Sequence, residues 1–192
     1  MKVRVVMIIT MASCLAILCS ASMSMQDLTT EVDVSWAKGY AGIEDLSAES
    51  DLIAVGTVKK IVEVTDDVVG EDRRGPIILY FTDFAFSVER VLKGPQGIRE
   101  VIIHQTGAAG REEIRDDPLL ECGDKCVLFL HEYETGKYYI LGGPQGRFQI
   151  LDNEVFSMNN ILPGIISLHP GLDVKGMEKA DFLESVIASI GS

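Results

Sequence analysis

The sequence predicts a mostly β domain: five or six strands closing into a small barrel, with a short N-terminal helix and a helix docked at the C-terminal end. Three observations predict it. Runs of β-branched and aromatic residues, at 51–64, 77–92, 101–103, 127–133 and 137–150, are separated by Gly, Pro, Asn and Asp turn chemistry. The run 77–92 alternates with period two: Tyr80, Thr82, Phe84, Phe86 and Val88 share one face, and Phe81, Asp83, Ala85, Ser87 and Glu89 share the other. The run 51–64 is apolar on both faces in its first half yet carries Gly56, and a glycine inside a strand marks a bulge, a bend or the close approach of another backbone. Strands that bend are what a small closed barrel requires.

The chain has 192 residues, room for one domain with a sizeable core, and a net charge of −12. Residues 1–24 have the three parts of an export signal: Lys2 and Arg4, then the apolar run Val5–Cys19, then small residues allowing cleavage after Ser22 or Ser24. The apolar run is shorter than the ~20 residues that span a bilayer, which weighs against an uncleaved anchor. Ala12-Ser13-Cys14 leaves lipid attachment at Cys14 as an alternative, and only that alternative would tie the protein to a membrane. Losing two cations with the leader makes the remainder more acidic still. Such a surface lacks the clustered Lys and Arg that attract phosphate, so nucleic acid is excluded as a partner. The protein is expected to be secreted, periplasmic or held at the cell surface.

Taken in order, residues 25–42 form an extension without clear periodicity, and Ile43, Leu46 and Ala48 predict a short helix before the first strand. Residues 65–76 carry Asp66, Asp67, Glu71 and Asp72 beside Arg73 and Arg74 and read as a solvated acidic loop, since no spacing fits a calcium loop. After the strand 77–92, Gly94-Pro95-Gln96-Gly97 turns the chain into Val101–Ile103, and 107–118 reads as a polar loop. Gly123-Asp124 is turn chemistry ahead of the apolar strand Val127–Tyr133. Residues 137–150 then read as strand, turn at Gly143-Pro144-Gln145-Gly146, and strand. Val155–Ser157 is a last short strand after Asp152-Asn153. Residues 162–176 read as a connector, and 177–190 as a helix with Phe182, Val186 and Ile190 on one face beside Leu183 and Ile187. The barrel thus spans 43–157, with 158–192 as connector and terminal helix.

Little in the chain carries recognisable chemistry. Cys122 and Cys126 are the thiols outside the leader. In an exported protein the pair suggests a local disulfide across the Gly123-Asp124 turn, because four residues along a straight strand span about 13 Å, far beyond bonding reach. Free thiols and a metal site stay open beside it. A metal site would need His104, His131 or His169, and Cys-x₃-Cys without a second pair is a weak signal. There is no nucleophile elbow and no nucleotide-binding glycine motif, so no catalytic residue and no cofactor is assigned. Arg147, fixed between Gly146 and Phe148, is set either to pair with an internal acid or to receive an anionic ligand; Arg147, Gln145, Gln105 and Phe148 are the candidate contact residues.

Several strings carry a resemblance: Asp51-Leu-Ile-Ala-Val-Gly56, Phe84-x-Phe-x-Val-Glu-x-Val-Leu-Lys-Gly94, Gln105-Thr-Gly107, Val127-Leu-Phe-Leu130 and Gly142-Gly-Pro-Gln-Gly-Arg-Phe148. Over residues 43 to 157 the chain resembles a family of uncharacterised exported prokaryotic proteins. The order of its elements is similar to the barrel of tissue inhibitors of metalloproteinases and netrin-type modules, which implies an OB-like barrel. Those inhibitors chelate the protease zinc through a mature N-terminal cysteine. Cleavage after Ser22 leaves Met23 first, so protease inhibition does not carry over.

The sequence therefore points to an exported, non-enzymatic binding or protein-interaction module with a protein or cell-surface partner. Its alternatives are a metal-dependent hydrolase using His104, His131, Cys122 and Cys126, and a structural envelope protein.

Overall fold

The computed structural model describes residues 30–32, 38–73, 75–162, 164 and 168–191. The leader, Cys14 and the cleavage sites at Ser22 and Ser24 lie outside them. The described elements are β1 (Thr30–Val32), α1 (Ile43–Glu49), β2 (Leu52–Asp72), β3 (Gly75–Lys93), β4 (Glu100–Thr106), β5 (Glu112–Ile114), β6 (Lys125–Glu134), β7 (Lys137–Ile140), a 3-10 turn (Gly143–Gly146), β8 (Arg147–Leu151), β9 (Glu154–Ser157), α2 (Met158–Ile161), β10 (Lys175–Glu178) and α3 (Lys179–Ile190). Among them no helix is long and apolar enough to cross a membrane.

The protein is mostly β. One eight-stranded sheet runs β10-β9-β8-β6-β2-β3-β4-β7, and β7 pairs again with β6, so that β2, β3, β4, β7 and β6 form a ring. The ring is not a clear barrel. Its seam between β4 and β7 is parallel and holds two residue pairs, Ile102 with Lys137 and Ile103 with Tyr138, whereas the other joins are antiparallel and longer. β1 and β5 form a separate two-stranded parallel sheet.

The apolar first half of β2 is buried on both faces, as its composition requires. Leu52, Ala54 and Val58 point into the ring with Phe84, Phe86, Val101, Ile103, Leu128, Leu130 and Ile140. Ile53 and Val55 point the other way, into a second core with Val127, Phe129, Phe148, Phe182 and Val186. α1 and α3 cover this second core. On α3, Phe182, Leu183 and Val186 are buried while Ile187 stays largely exposed, so the buried stripe is narrower than the sequence implies. The two helices touch through Ser47 Oγ and Ser189 Oγ, 2.6 Å apart. Lys93 Nζ donates to the carbonyls of Ser47 and Ala48, satisfying and neutralising the negative end of α1.

Three segments depart from expectation. Residues 65–76 are not a loop: β2 continues to Asp72 and turns straight into β3, with Val68 opposite Ile78 and Asp67 opposite Leu79. The valines at 62, 64, 68 and 69 and the isoleucines at 77 and 78 supply the strand preference, and the acids are tolerated because the ribbon is solvated, Val68 being 60% exposed. Residues 107–118 include β5 and fold Ala108, Ile114 and Asp117 inside. The connector ends at β10, whose pairing with β9 delays the start of α3 from 177 to 179.

Gly56 sits where the β2–β3 register shifts, between Val55 and Gly56. A Cβ there would come 2.2 Å from the Ser87 carbonyl oxygen and 2.7 Å from the Phe86 ring. The position demands glycine because two strands close on it, not because of its dihedral angles. Gly56→Val is therefore expected to destabilise the protein by more than about 2 kcal/mol in urea unfolding; a loss below roughly 0.5 kcal/mol would contradict the close approach.

Candidate functional site

Strand alternation builds the candidate site. In β6, Leu128 and Leu130 face into the ring, so His131 and Tyr133 face out. In β7, Tyr138 and Ile140 face in and Tyr139 faces out; in β4, Val101 and Ile103 face in and His104 faces out; in β3, Phe84 and Phe86 face in and Phe81 and Asp83 face out. These four strands are neighbours around the ring. Their register sets Asp83 opposite His104 and His131 opposite Tyr139. Outward side chains from distant parts of the sequence thus meet as cross-strand pairs.

The result is a continuous strip of rings. Phe81 stacks on His104 at 4.7 Å between centroids and 17° between planes. His104 meets Tyr133 at 5.2 Å, Tyr133 meets Tyr139 at 6.4 Å, and Tyr139 meets His131 at 5.1 Å. Tyr133 and Tyr139 keep 40% and 39% of their surface exposed. Both histidines are anchored by aspartates. His104 Nδ1 lies 2.5 Å from Asp83 Oδ1, and Lys137 Nζ donates to Asp83 Oδ2 at 3.1 Å. His131 Nδ1 lies 2.8 Å from Asp51 Oδ2, which also accepts the Glu132 amide. The Asp83 carboxylate holds the Lys137 ammonium above its usual pKa.

Two cavities flank Tyr139. One, about 550 Å³, is lined by Lys38, Tyr40, Glu49, His131, Tyr139 and Leu141, among others. There Glu49 accepts from both Lys38 and the Tyr40 hydroxyl, and the Lys38 hydrogen bond holds its carboxyl below the usual range. Burial, reinforced by Glu49, pushes the Tyr40 hydroxyl up to about 12. The other cavity, about 250 Å³, is lined by Phe81, His104, Gln105, Thr106, Asp117 and Tyr139, among others. Asp117 is 2% exposed and its Oδ1 has no hydrogen-bond partner among the described residues. Burial raises its carboxyl to about 7, outweighing the opposite pull of Arg147 and of a hydrogen bond from Gln105.

The contact residues expected from sequence occupy other places. Arg147 is 4% exposed and pairs internally: Nη2 donates to Asp124 Oδ2 at 2.9 Å and Nη1 to the Pro118 carbonyl at 2.8 Å. Of the two roles open to it, the geometry selects the internal pairing. Phe148 has no exposed surface and edges against Phe129 in the second core. Gln145 accepts from the Tyr40 amide, and Gln105 bridges the Pro118 carbonyl and the Leu120 amide. Gln105 is the member of that set that borders a cavity on the strip.

The disulfide expected between Cys122 and Cys126 is absent: both are free thiols. Cys122 is exposed in the turn, while Cys126, the second residue of β6, faces into the ring, where burial pushes its thiol up to about 12. The turn that was to bring them together sends them to opposite environments instead. His104 and His131 lie on the strip and Cys126 inside the ring, so the four residues of the hydrolase alternative are not gathered. Among the described residues, no three of His, Cys, Asp and Glu are placed to hold a metal.

No protein-family model matches this chain, and no curated protein matches it. The site therefore rests on its own geometry.

Two outcomes follow from these environments. In the native protein an alkylating reagent should modify Cys122 and spare Cys126 until denaturant is added, as read by peptide mass spectrometry; equal protection of both would point to a disulfide. Asp117 keeps its proton on folding to a higher pH than in the unfolded chain, whose value lies near 4. The stability it contributes is complete below about pH 4 and is lost as pH rises through about 7. Asp117→Asn should remove this loss, so that the variant gains on the wild type between about pH 4 and 7 in urea unfolding. A constant difference across that window would remove Asp117 as its source.

Proposed function

We propose that this protein is an exported binding module whose small OB-like barrel displays the strip Phe81–His104–Tyr133–Tyr139–His131 as its contact face. The observation that carries the reading is the strip itself. Two tyrosines about 40% exposed, in contact with each other and each flanked by an aspartate-anchored histidine, form a pre-organised apolar surface with polar tips. Binding sites combine such rigid aromatic area with a few fixed polar groups. The OB-like reading is supported by the path of the chain. β2, β3 and β4 follow one another antiparallel, β6 returns beside β2, and β7 joins β4 in parallel. Export rests on the leader at 1–24. The partner is an extracellular molecule or a cell-surface component, and the chemistry is recognition rather than turnover.

Tyr133→Ser with Tyr139→Ser is expected to leave the melting temperature within a few degrees, because neither side chain belongs to either core. Titration of labelled protein with candidate ligands should move resonances of residues on β4, β6 and β7 around His104, Tyr133 and Tyr139, and the double variant should lose that response. Ligand-induced shifts confined to another face would overturn the assignment of the strip.

A further inference from the structure

We propose that the strip and its two flanking cavities bind a neutral, linear oligosaccharide that lies across Tyr139 with a sugar unit seated in each cavity. The proposal rests on the reading of the strip as the contact face and names its ligand class.

The first argument is shape. Tyr139 lines both cavities, and Ile140 lines both beneath it. A ligand that fills the two is therefore an extended chain crossing one exposed ring, with Tyr133 offering a second ring 6.4 Å away. Sugar rings have flat apolar faces of C–H groups that stack on aromatic faces, and their hydroxyls project around the edge.

The second argument is charge. Three of the carboxylates near the strip are already engaged. Asp83 is held by His104 and Lys137, Asp51 by His131 and the Glu132 amide, and Glu49 by Lys38 and Tyr40. Asp117, on the wall of the smaller cavity, is sunk beside the buried Arg147. At these three carboxylates a cationic peptide would have to displace donors already in place. A nucleic acid or other polyanion would meet carboxylates along the whole strip. A hydroxyl both donates and accepts, so a carboxylate beside an imidazole or ammonium suits it on both counts.

The third argument is position. Polar groups stand around both cavities: Lys38, Glu49 and His131 around the larger, and His104 with Thr106 around the smaller. A chain of sugars stacked over Tyr139 would meet polar groups at both ends.

The test is calorimetric and NMR titration of the full soluble protein with neutral oligomers of glucose, mannose and N-acetylglucosamine, one to six units long. A lysine-rich peptide serves as the comparison ligand. At least one series should bind, its affinity should rise by tenfold or more from the single sugar to about three or four units, and Tyr139→Ala should weaken it at least tenfold with the melting temperature unchanged. Tyr139→Phe should retain binding, which separates loss of the ring from loss of the hydroxyl. If no neutral oligomer binds but the peptide does, with shifts on the strip lost in Tyr139→Ala, the saccharide falls and the contact face stands. If neither ligand perturbs the strip, both fall. Saccharide binding without dependence on chain length would overturn the two-cavity arrangement.

Discussion

Burying the first halves of β2 and β6 on both faces is the constraint from which the rest of the structure follows. A strand with one buried face needs one core; these two strands, side by side, need two. Leu52, Ala54, Leu128 and Leu130 require the ring to close over them, while Ile53, Val55, Val127 and Phe129 require something on the outside. That something is α1, α3 and the sheet extension of β8 and β9. Each fully buried Leu, Ile or Phe contributes about 1.5–3 kcal/mol, so neither cover can be lost without exposing several such side chains. Gly56 belongs to the same constraint, since it lets β3 approach β2 closely while β6 pairs with it on the other side.

Doubly buried strands leave the polar loops little room, and one buried cation organises what remains. Arg147 reaches the Pro118 carbonyl, Asp124 and Gln149, drawing the 107–124 segment against β8. A buried charge costs several kcal/mol to desolvate and is tolerated only when its donors are met. Its Nε remains without a partner among the described residues, as does Asp117 Oδ1. Both orphaned atoms lie in this one region, where Arg147 acts on the Asp117 carboxyl. The segment is polar in composition yet folded inward because the guanidinium has to be answered.

What was legible in the sequence follows the same division. The alternation in 77–92 placed Phe84 and Phe86 on a core face, and the apolar first half of 51–64 pointed to a strand buried on both faces. The acidic stretch 65–76 misled because charge was read as loop, whereas valines at 62, 64, 68 and 69 set a strand on which Asp66, Asp67 and Glu71 are exposed. The cysteines misled because spacing says nothing about direction: Cys126 is the second residue of a strand, with its side chain inward, and Cys122 sits in the turn before it. Arg147 and Phe148 read as contact residues because they follow the Gly143–Gly146 turn, where an exposed side chain is expected, yet both are buried. The strip was not visible because its members lie at 81, 104, 131, 133 and 139 on four strands, and only register brings them together. One signal was available: Tyr133 and Tyr139 each fall on the phase opposite the ring-facing apolar residues of their strands, Leu128 and Leu130 in one and Ile140 in the other.

That outward phase is where the surface departs from what folding alone asks. Tyr133 and Tyr139 could be polar without disturbing either core, since neither belongs to one. They contribute little to stability in exchange for the apolar area they leave in water. The groups around them are, by contrast, tightly fixed: each histidine is set by an aspartate, and Asp83 takes a lysine as well. Immobilising polar side chains costs conformational entropy that a solvated surface does not repay. An ordered polar frame around exposed rings therefore makes physical sense when the ordering is recovered elsewhere, and a ligand that meets rigid groups binds without having to organise them. The strip's rigidity, more than its composition, is what separates it from the exposed valines of the β2–β3 ribbon, which are equally apolar but have no such frame.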